Sequence, residues 1–118
     1  MTIRPLFAAL AVVALAGCAA DPAPNEQMRL TEQALEQARA VGANAEDIAE
    51  LKQAEDKVAR ASAEMTEGSY KDARMLAEQA ELDARLAEAR VLTLKSQDQL
   101  NVLNTRITRL RKQLAEAQ

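Results

Sequence analysis

The chain has 118 residues and a mass of 12.8 kDa, so it has room for one small domain. It contains 26 alanines, three glycines and three prolines, with one tyrosine, one phenylalanine and no tryptophan or histidine. This composition is typical of long helices with little bulky core material, and it argues against an ordinary globular enzyme. The net charge of -3 is spread over a mixed surface, which gives no reason to expect nucleic acid as a partner.

Residues 1–17 have the order of a secretory signal peptide. Arg4 is followed by an apolar run from Leu6 to Ala16, which is well short of the ~20 residues that a membrane-spanning helix needs. We therefore expect this segment to be removed, and we expect no transmembrane helix in the mature chain.

The sequence Leu15-Ala16-Gly17-Cys18 resembles the lipobox of bacterial lipoproteins. The resemblance implies cleavage before Cys18, a diacylglyceryl group on its sulfur and acylation of its new amino group. Three acyl chains would anchor the protein essentially permanently. The alternative is an ordinary signal peptide that happens to end near a cysteine, but this would leave one unpaired thiol in an oxidising compartment.

The residues after the cysteine indicate a location. In this lipoprotein class an aspartate directly after the cysteine resembles an inner-membrane retention signal, whereas this chain has Ala19 and Ala20. The resemblance implies the outer membrane, with the protein facing the periplasm. Residues 18–24 contain Pro22 and Pro24 and show no apolar periodicity, so we expect a lipidated tether.

Residues 25–95 are predicted to form an alanine-rich helical hairpin region. Asn25 is expected to cap a first helix over 26–41, and Gly42 to end it. Asn44 with Asp47 resembles a capping box that opens a second helix. The apolar positions of these two helices follow steps of three and four residues: Thr31, Ala34, Ala38 and Val41, then Leu51, Ala54, Val58, Ala61 and Met65.

A third helix is predicted to start at Tyr70 and to continue to Gln118 without glycine or proline, over ~70 Å. Gly68 is expected to end the second helix, and Ser69 with Asp72 to cap the third, which makes an antiparallel hairpin. The first half of the third helix has a seam of mostly small residues: Tyr70, Ala73, Ala77, Ala80, Ala84, Ala87, Val91 and Leu94. Alanine buries little apolar area, so modest stability is expected.

The pattern changes near residue 96. Polar residues occupy the positions that would continue the alanine seam, and a new stripe begins, rotated by about 120° from Leu94. Its large members are Leu100, Leu103, Ile107, Leu110 and Leu114. We therefore predict that residues 96–118 are a coiled-coil extension, and that residues 96–117 self-associate as a short parallel coiled coil, since all copies are anchored at one end.

Charge also changes along the chain. Residues 99–118 hold four cations against one anion, a net of +3, whereas residues 18–98 hold 10 cations against 17 anions, a net of -7. Arg106, Arg109 and Lys112 form a basic row beside the aliphatic stripe. Two interpretations stay open: a solvated flank of a coiled coil, or a contact for an anionic cell-wall polymer or lipid.

The stretch from Pro24 to Arg90 resembles the bacterial envelope lipoproteins grouped as "domain of unknown function 4398". The resemblance is carried by Asn25-Glu26-Gln27, Glu32-Gln33-Ala34-Leu35, the Gly68-Ser69-Tyr70 turn and Leu76-Ala77-Glu78-Gln79-Ala80. It implies a helical envelope lipoprotein and supplies no activity.

Chemistry-bearing residues are scarce. There is no histidine, Cys18 is expected to carry lipid, and no nucleophile–base pair is recognisable, so we expect no enzyme and no cofactor beyond the lipid. The carboxylates of Glu46, Asp47 and Glu50 lack the Glu-x-x-His step of metal-binding bundles, so no metal is expected. The sequence predicts an all-α, elongated protein with a structural role; the alternatives are an adaptor that binds a helix or peptide of another envelope protein, or contact with peptidoglycan through the basic residues.

Overall fold

The computed structural model describes residues 21–117, and three helices account for most of them: α1 (Asn25–Ala40), α2 (Ala49–Glu67) and α3 (Tyr70–Glu116). The predicted all-α, elongated architecture is confirmed. The signal peptide and Cys18 lie outside the described residues.

The N-termini of the helices differ from the prediction. Pro24, not Asn25, precedes α1, and no side chain caps the helix. Pro24 is buried and its carbonyl oxygen accepts a hydrogen bond from the N–H of Met28 at 3.0 Å, so backbone geometry starts the helix. Ser69 likewise precedes α3 without a side-chain hydrogen bond, and the predicted capping box with Asp72 is therefore wrong.

The predicted capping box at Asn44 is also wrong, because α2 begins five residues later at Ala49. Asn44 instead organises a separate turn: its Oδ1 accepts the N–H of Glu46 at 3.0 Å, and its carbonyl oxygen accepts the N–H of Ile48 at 2.8 Å. Ile48 has an extended backbone and a buried side chain. Burial of this large aliphatic side chain fixes the start of α2.

The two glycines in the described residues both end a helix in the left-handed conformation, as predicted. Gly42 follows α1 with φ 98°, and Gly68 follows α2 with φ 78°. At Gly68 the N–H of Ser69 donates to the carbonyl oxygen of Glu64 at 2.9 Å, which closes the last turn of α2. The chain then reverses directly into α3.

The three helices run up, down and up. At one end Arg74 in α3 reaches the carbonyl oxygen of Pro22 at 3.4 Å, and at the other Lys95 Nζ donates to the carbonyl oxygen of Val41 at 2.7 Å. α1 is therefore parallel to α3. Glu50 of α2 pairs with Arg90 of α3, so α2 is antiparallel to it. Residues 21–24 and the α2–α3 turn consequently lie at the same end of the molecule.

The core is made mainly of alanine. The predicted seam of α3 is buried at six positions, whereas Tyr70 is half-buried and Leu94 is 52% exposed, so Leu94 does not belong to the seam. Small side chains let α1 and α2 approach α3 closely. Larger side chains enter the core only at a few places, and these are Leu35, Ile48, Leu51, Leu76 and Val91.

Beyond Val91, α3 leaves the other two helices. Every described residue from 92 to 117 is exposed. We call residues 21–95 the base and residues 96–117 the tip. At ~1.5 Å per residue the tip extends about 30 Å beyond the base. None of the helices within residues 21–117 combines the length and apolarity that a membrane crossing requires.

Candidate interaction surface on the third helix

The predicted aliphatic stripe lies entirely on the tip. Leu100, Leu103, Ile107, Leu110 and Leu114 are between 45% and 66% exposed, and no other part of the chain within residues 21–117 covers them. Five large aliphatic side chains aligned on one exposed helix face are a contiguous apolar patch, and such patches mark interaction sites.

The stripe is longer than the sequence pattern suggested. Met75, Leu82 and Leu86, in the base, are also half or more exposed. Steps of three and four residues connect Leu82 and Leu86 with the tip through smaller side chains. We call this whole row the outer stripe: Met75, Leu82, Leu86, Ala89, Thr93, Ser96, Leu100, Leu103, Ile107, Leu110 and Leu114.

The outer stripe faces away from the buried alanine seam. Leu82 and Leu86 lie two residues before and after the fully buried Ala84. Since each residue turns a helix by ~100°, both point to the side of α3 opposite Ala84. The apolar stripe of the tip is therefore a continuation of an existing outer face and does not first appear where the tip begins.

The packing of α1 and α2 leaves this outer face open. From α1, Gln27 Nε2 donates to Glu81 Oε2 at 2.7 Å. From α2, Lys57 Nζ pairs with Asp83 Oδ2 at 2.5 Å. Glu81 and Asp83 flank Leu82 in sequence, so the two shorter helices hold α3 from both sides while Leu82 stays 67% exposed between them.

Three cations of the tip have no ion-pair partner within residues 21–117. Of its basic residues, Lys112 approaches Glu116 at 3.8 Å, whereas Arg106, Arg109 and Arg111 make no ion pair with any residue in 21–117. Arg106 and Arg111 lie directly next to stripe residues and therefore flank the apolar row. The tip thus presents an apolar stripe edged with positive charge.

The base holds its charges differently, through ion pairs between helices. Arg90 Nη1 donates to Glu50 Oε1 at 2.6 Å, and Arg39 pairs with Glu55 at 2.7 Å. A hydrogen bond from its own backbone N–H at the start of α2, together with Arg90, lowers the pKa of Glu50, although desolvation opposes this shift. These contacts fix the helices against one another and leave the outer stripe untouched.

The acidic residues that we considered as metal ligands do not assemble. Within residues 21–117 no group of three or more carboxylate, histidine or cysteine side chains is placed to hold a metal ion. The arrangement that the structure does provide is an exposed aliphatic stripe on one face of α3.

Comparisons with known proteins agree with the fold. The family model described as "Domain of unknown function (DUF4398)" matches residues 26–103. The crystal structure of a DUF4398 family protein from Pseudomonas aeruginosa PAO1 is 68% identical to this chain, with a TM-score of 0.78; the match covers 82% of this chain and all of that one. A comparison with curated proteins gives no match.

Within residues 21–117 the fold is an elongated, alanine-rich arrangement of three helices, and the third projects beyond the other two. The family match spans most of the chain and the solved relative shares its fold at high identity. The chain belongs to the DUF4398 family.

Proposed function

We propose that this protein is a non-catalytic lipoprotein of the outer membrane with a structural role in the cell envelope. The base holds α3 in a fixed direction, and α3 presents the outer stripe to a second helix. The observation that carries this proposal is the exposed row of large aliphatic side chains on a helix that the rest of the described chain leaves bare.

The proposed anchor is lipid on Cys18, with the protein facing the periplasm. Asp21 and Pro22, three and four residues after Cys18, lie at the end of the molecule that also contains the α2–α3 turn. An anchor at this end leaves α3 pointing away from the attachment point, toward whatever it binds.

We propose that the second helix belongs to another copy of the same chain. Isolated helices of the length of the tip are marginal in water, and a helix with one apolar face is stabilised when that face is covered. Chains anchored to one membrane surface are also concentrated, which favours a weak association.

A heterologous partner is the second candidate. Three arginines of the tip make no ion pair with any residue in 21–117, which favours an anionic partner such as an acidic amphipathic helix or peptidoglycan. This protein would then be an adaptor and not a self-assembling scaffold.

The test distinguishes the contribution of the aliphatic stripe to association from that of the cations on the tip. In one variant of the full-length lipoprotein, Leu103→Asp and Ile107→Asp place charge in the stripe; in the matched control, Arg109→Gln and Lys112→Gln remove two cations outside it. We expect the mass of the detergent-solubilised protein, measured by sedimentation, to fall to that of a monomer only in the Asp variant. A monomeric unmodified protein over the whole measurable concentration range would contradict self-association. Loss of a captured partner in the Gln variant would favour the adaptor.

A further inference from the structure

We propose that two copies of this chain associate antiparallel along the outer stripe, so that the tip of each copy covers the outer face of α3 in the base of the other. This inference rests on the self-association proposed above and replaces the parallel arrangement that the sequence predicted. The anchored ends of the two copies then lie about 80 Å apart, so both anchors reach one membrane when the pair lies along its surface. Three features of α3 support it: the extent of the stripe indicates that the base takes part, and the sizes of its side chains and the charges beside it distinguish the orientation.

The extent of the stripe is the first feature. A parallel coiled coil of the tips alone would bury Leu100 to Leu114 and leave Leu82 and Leu86 exposed. An antiparallel pair places each tip on the base of the other copy, and both halves of the stripe are then covered. Leu82 and Leu86 are 67% and 54% exposed in the isolated chain, so their burial contributes to the association.

The sizes of the side chains are the second feature. The side chains in the middle of the stripe are small and belong to Ala89, Thr93 and Ser96, whereas the stripe residues from Leu100 onward all have large side chains. A parallel pair in register would stack small residues on small ones and large on large. Helices pack best when large and small side chains alternate across the contact.

An antiparallel pair with its two-fold axis beside Asp98 gives this alternation. Reading outward from the axis, Leu100, Leu103 and Ile107 of one copy meet Ser96, Thr93 and Ala89 of the second copy. Further out, Leu110 and Leu114 meet Leu86 and Leu82 of the second copy. In this register every large member of the stripe except Met75 is covered.

The charges are the third feature, and they disfavour a parallel pair. Each heptad of the stripe has two core positions, such as Leu100 and Leu103. In a parallel coiled coil the residue just before the first core position lies beside the residue five positions later in the other copy. Along α3 the charged pairs of this kind are Glu78 with Asp83, Arg85 with Arg90, and Arg106 with Arg111. All three join like charges. Asp83, Arg85 and Arg90 already pair within the chain with Lys57, Glu81 and Glu50, so Arg106 with Arg111 is the contact without compensation within residues 21–117, and it occurs twice in a symmetric dimer.

The antiparallel register removes these contacts. Arg111 of one copy then lies near Asp83 of the second copy, and Arg106 lies beside Leu92 of the second copy. In this register the tip lies along residues 79–97 of the second copy, where three anions and three cations balance, so the separation of Arg106 from Arg111 is what favours this orientation.

The first experiment uses single cysteines in the full-length lipoprotein, in membranes. Two copies carrying tags of different length are co-expressed, one with Leu86→Cys and the other with Leu110→Cys, and treated with a short thiol-specific crosslinker. We expect a crosslinked dimer of one long and one short copy. We expect none when Leu110→Cys, or Leu86→Cys, is the only variant present, and the protein without introduced cysteines is the control for reaction at Cys18.

The outcomes distinguish failure of the antiparallel orientation from failure of self-association. A strong crosslink between two Leu110→Cys copies would mean a parallel pair, which overturns this inference and leaves the proposed scaffold intact. A protein that sediments as a monomer and forms no crosslink with any cysteine would overturn both.

The second experiment reverses one charge. In an antiparallel pair, Arg111→Glu places a carboxylate near Asp83 of the second copy, so the dissociation constant of the dimer should rise several-fold. In a parallel pair the same change would place Glu opposite Arg106 and tighten the dimer. Lys112→Glu makes an equal change in net charge and is the matched control, because Lys112 lies about 200° around α3 from Leu110, on the far face and not beside the stripe as the sequence predicted. A tighter dimer for Arg111→Glu contradicts the antiparallel arrangement.

Discussion

The hydroxyl of Thr31 lies 2.9 Å from the carbonyl oxygen of Ala77, and it also lies 2.8 Å from the carbonyl oxygen of Gln27 in its own helix. Thr31 is fully buried and is the only buried polar side chain within residues 21–117. The contact requires α1 and α3 to approach closely, which the small side chain of Ala77 allows. It therefore fixes the relative position of two helices that otherwise meet through alanine.

Thr31→Val keeps the shape of the side chain and removes the hydroxyl. We expect the free energy of unfolding to fall by about 1 kcal/mol, because a buried hydrogen bond between helices is lost. Thr105→Val is the control, since its hydroxyl bonds only to the carbonyl oxygen of Asn101 on the exposed tip. Urea unfolding followed by circular dichroism measures both, and equal losses would contradict a special role for the Thr31–Ala77 contact.

Gly68→Val should destabilise the α2–α3 turn. Gly68 has φ 78°, and a β-carbon at this position would meet nothing within 4 Å, so the cost comes from the backbone alone and is about 1 kcal/mol or more. Gly68→Asn should cost less, because asparagine tolerates the left-handed conformation. Thermal melts of the two variants measure the difference, and a lower midpoint for Asn than for Val would contradict this explanation.

Ala84→Leu should destabilise the packing of the three helices in the base. Ala84 is fully buried in the seam of α3, and a larger side chain there forces the helices apart at a cost of about 1–3 kcal/mol. Ala63→Leu makes the same change on an exposed face of α2 and should leave the unfolding midpoint nearly unchanged. A similar loss in both variants would mean that close packing at the seam does not limit stability.

Acid should weaken the contact between Glu50 and Arg90. The pKa of Glu50 is lowered in the folded protein, so its carboxylate contributes stability above the ordinary glutamate pKa of about 4.3. That contribution is lost as the pH falls through the lowered value. Glu50→Gln should therefore be less stable than the unmodified protein at pH 7, and the two melting temperatures should converge toward pH 3. A difference between the two melting temperatures that widens on acidification would contradict a lowered pKa of Glu50.

Cys18→Ser tests the proposed anchor, which lies outside the described residues. Without the thiol no diacylglyceryl group can be attached, so we expect an unprocessed and unacylated precursor of higher mass. Mass spectrometry of the membrane fraction measures both properties. A variant that is cleaved normally and still carries lipid would refute the lipoprotein assignment.

The sequence predicted the presence and the buried face of the helices better than the residues that begin them. Steps of three and four residues located the alanine seam, and both glycine C-caps were placed correctly. The three side-chain caps at Asn25, Asn44 and Ser69 were wrong, because a capping residue is common in turns of many kinds and burial of neighbours such as Ile48 decides where a helix begins.

The candidate surface was predicted in part. The five aliphatic residues of the tip are exposed as expected, but the extension of the stripe through Leu86 and Leu82 was missed. Thr93 and Ser96 interrupt its hydrophobicity, so the pattern appeared to start anew at Leu100. Contacts between distant residues, such as Lys95 with Val41, leave no periodic signal, and only the fold reveals them.

Because α3 has no break between Tyr70 and Glu116, the number of residues in it sets how far its C-terminal end lies from the base. Insertion of one heptad into the tip would move the C-terminal end by about 10.5 Å away from the tether while keeping the outer stripe nearly in line. Insertion of four residues would lengthen the rod by only ~6 Å and turn everything beyond it by about 40°. Whole heptads therefore change the reach of this helix with little rotation, whereas partial heptads change its reach and its angular alignment together.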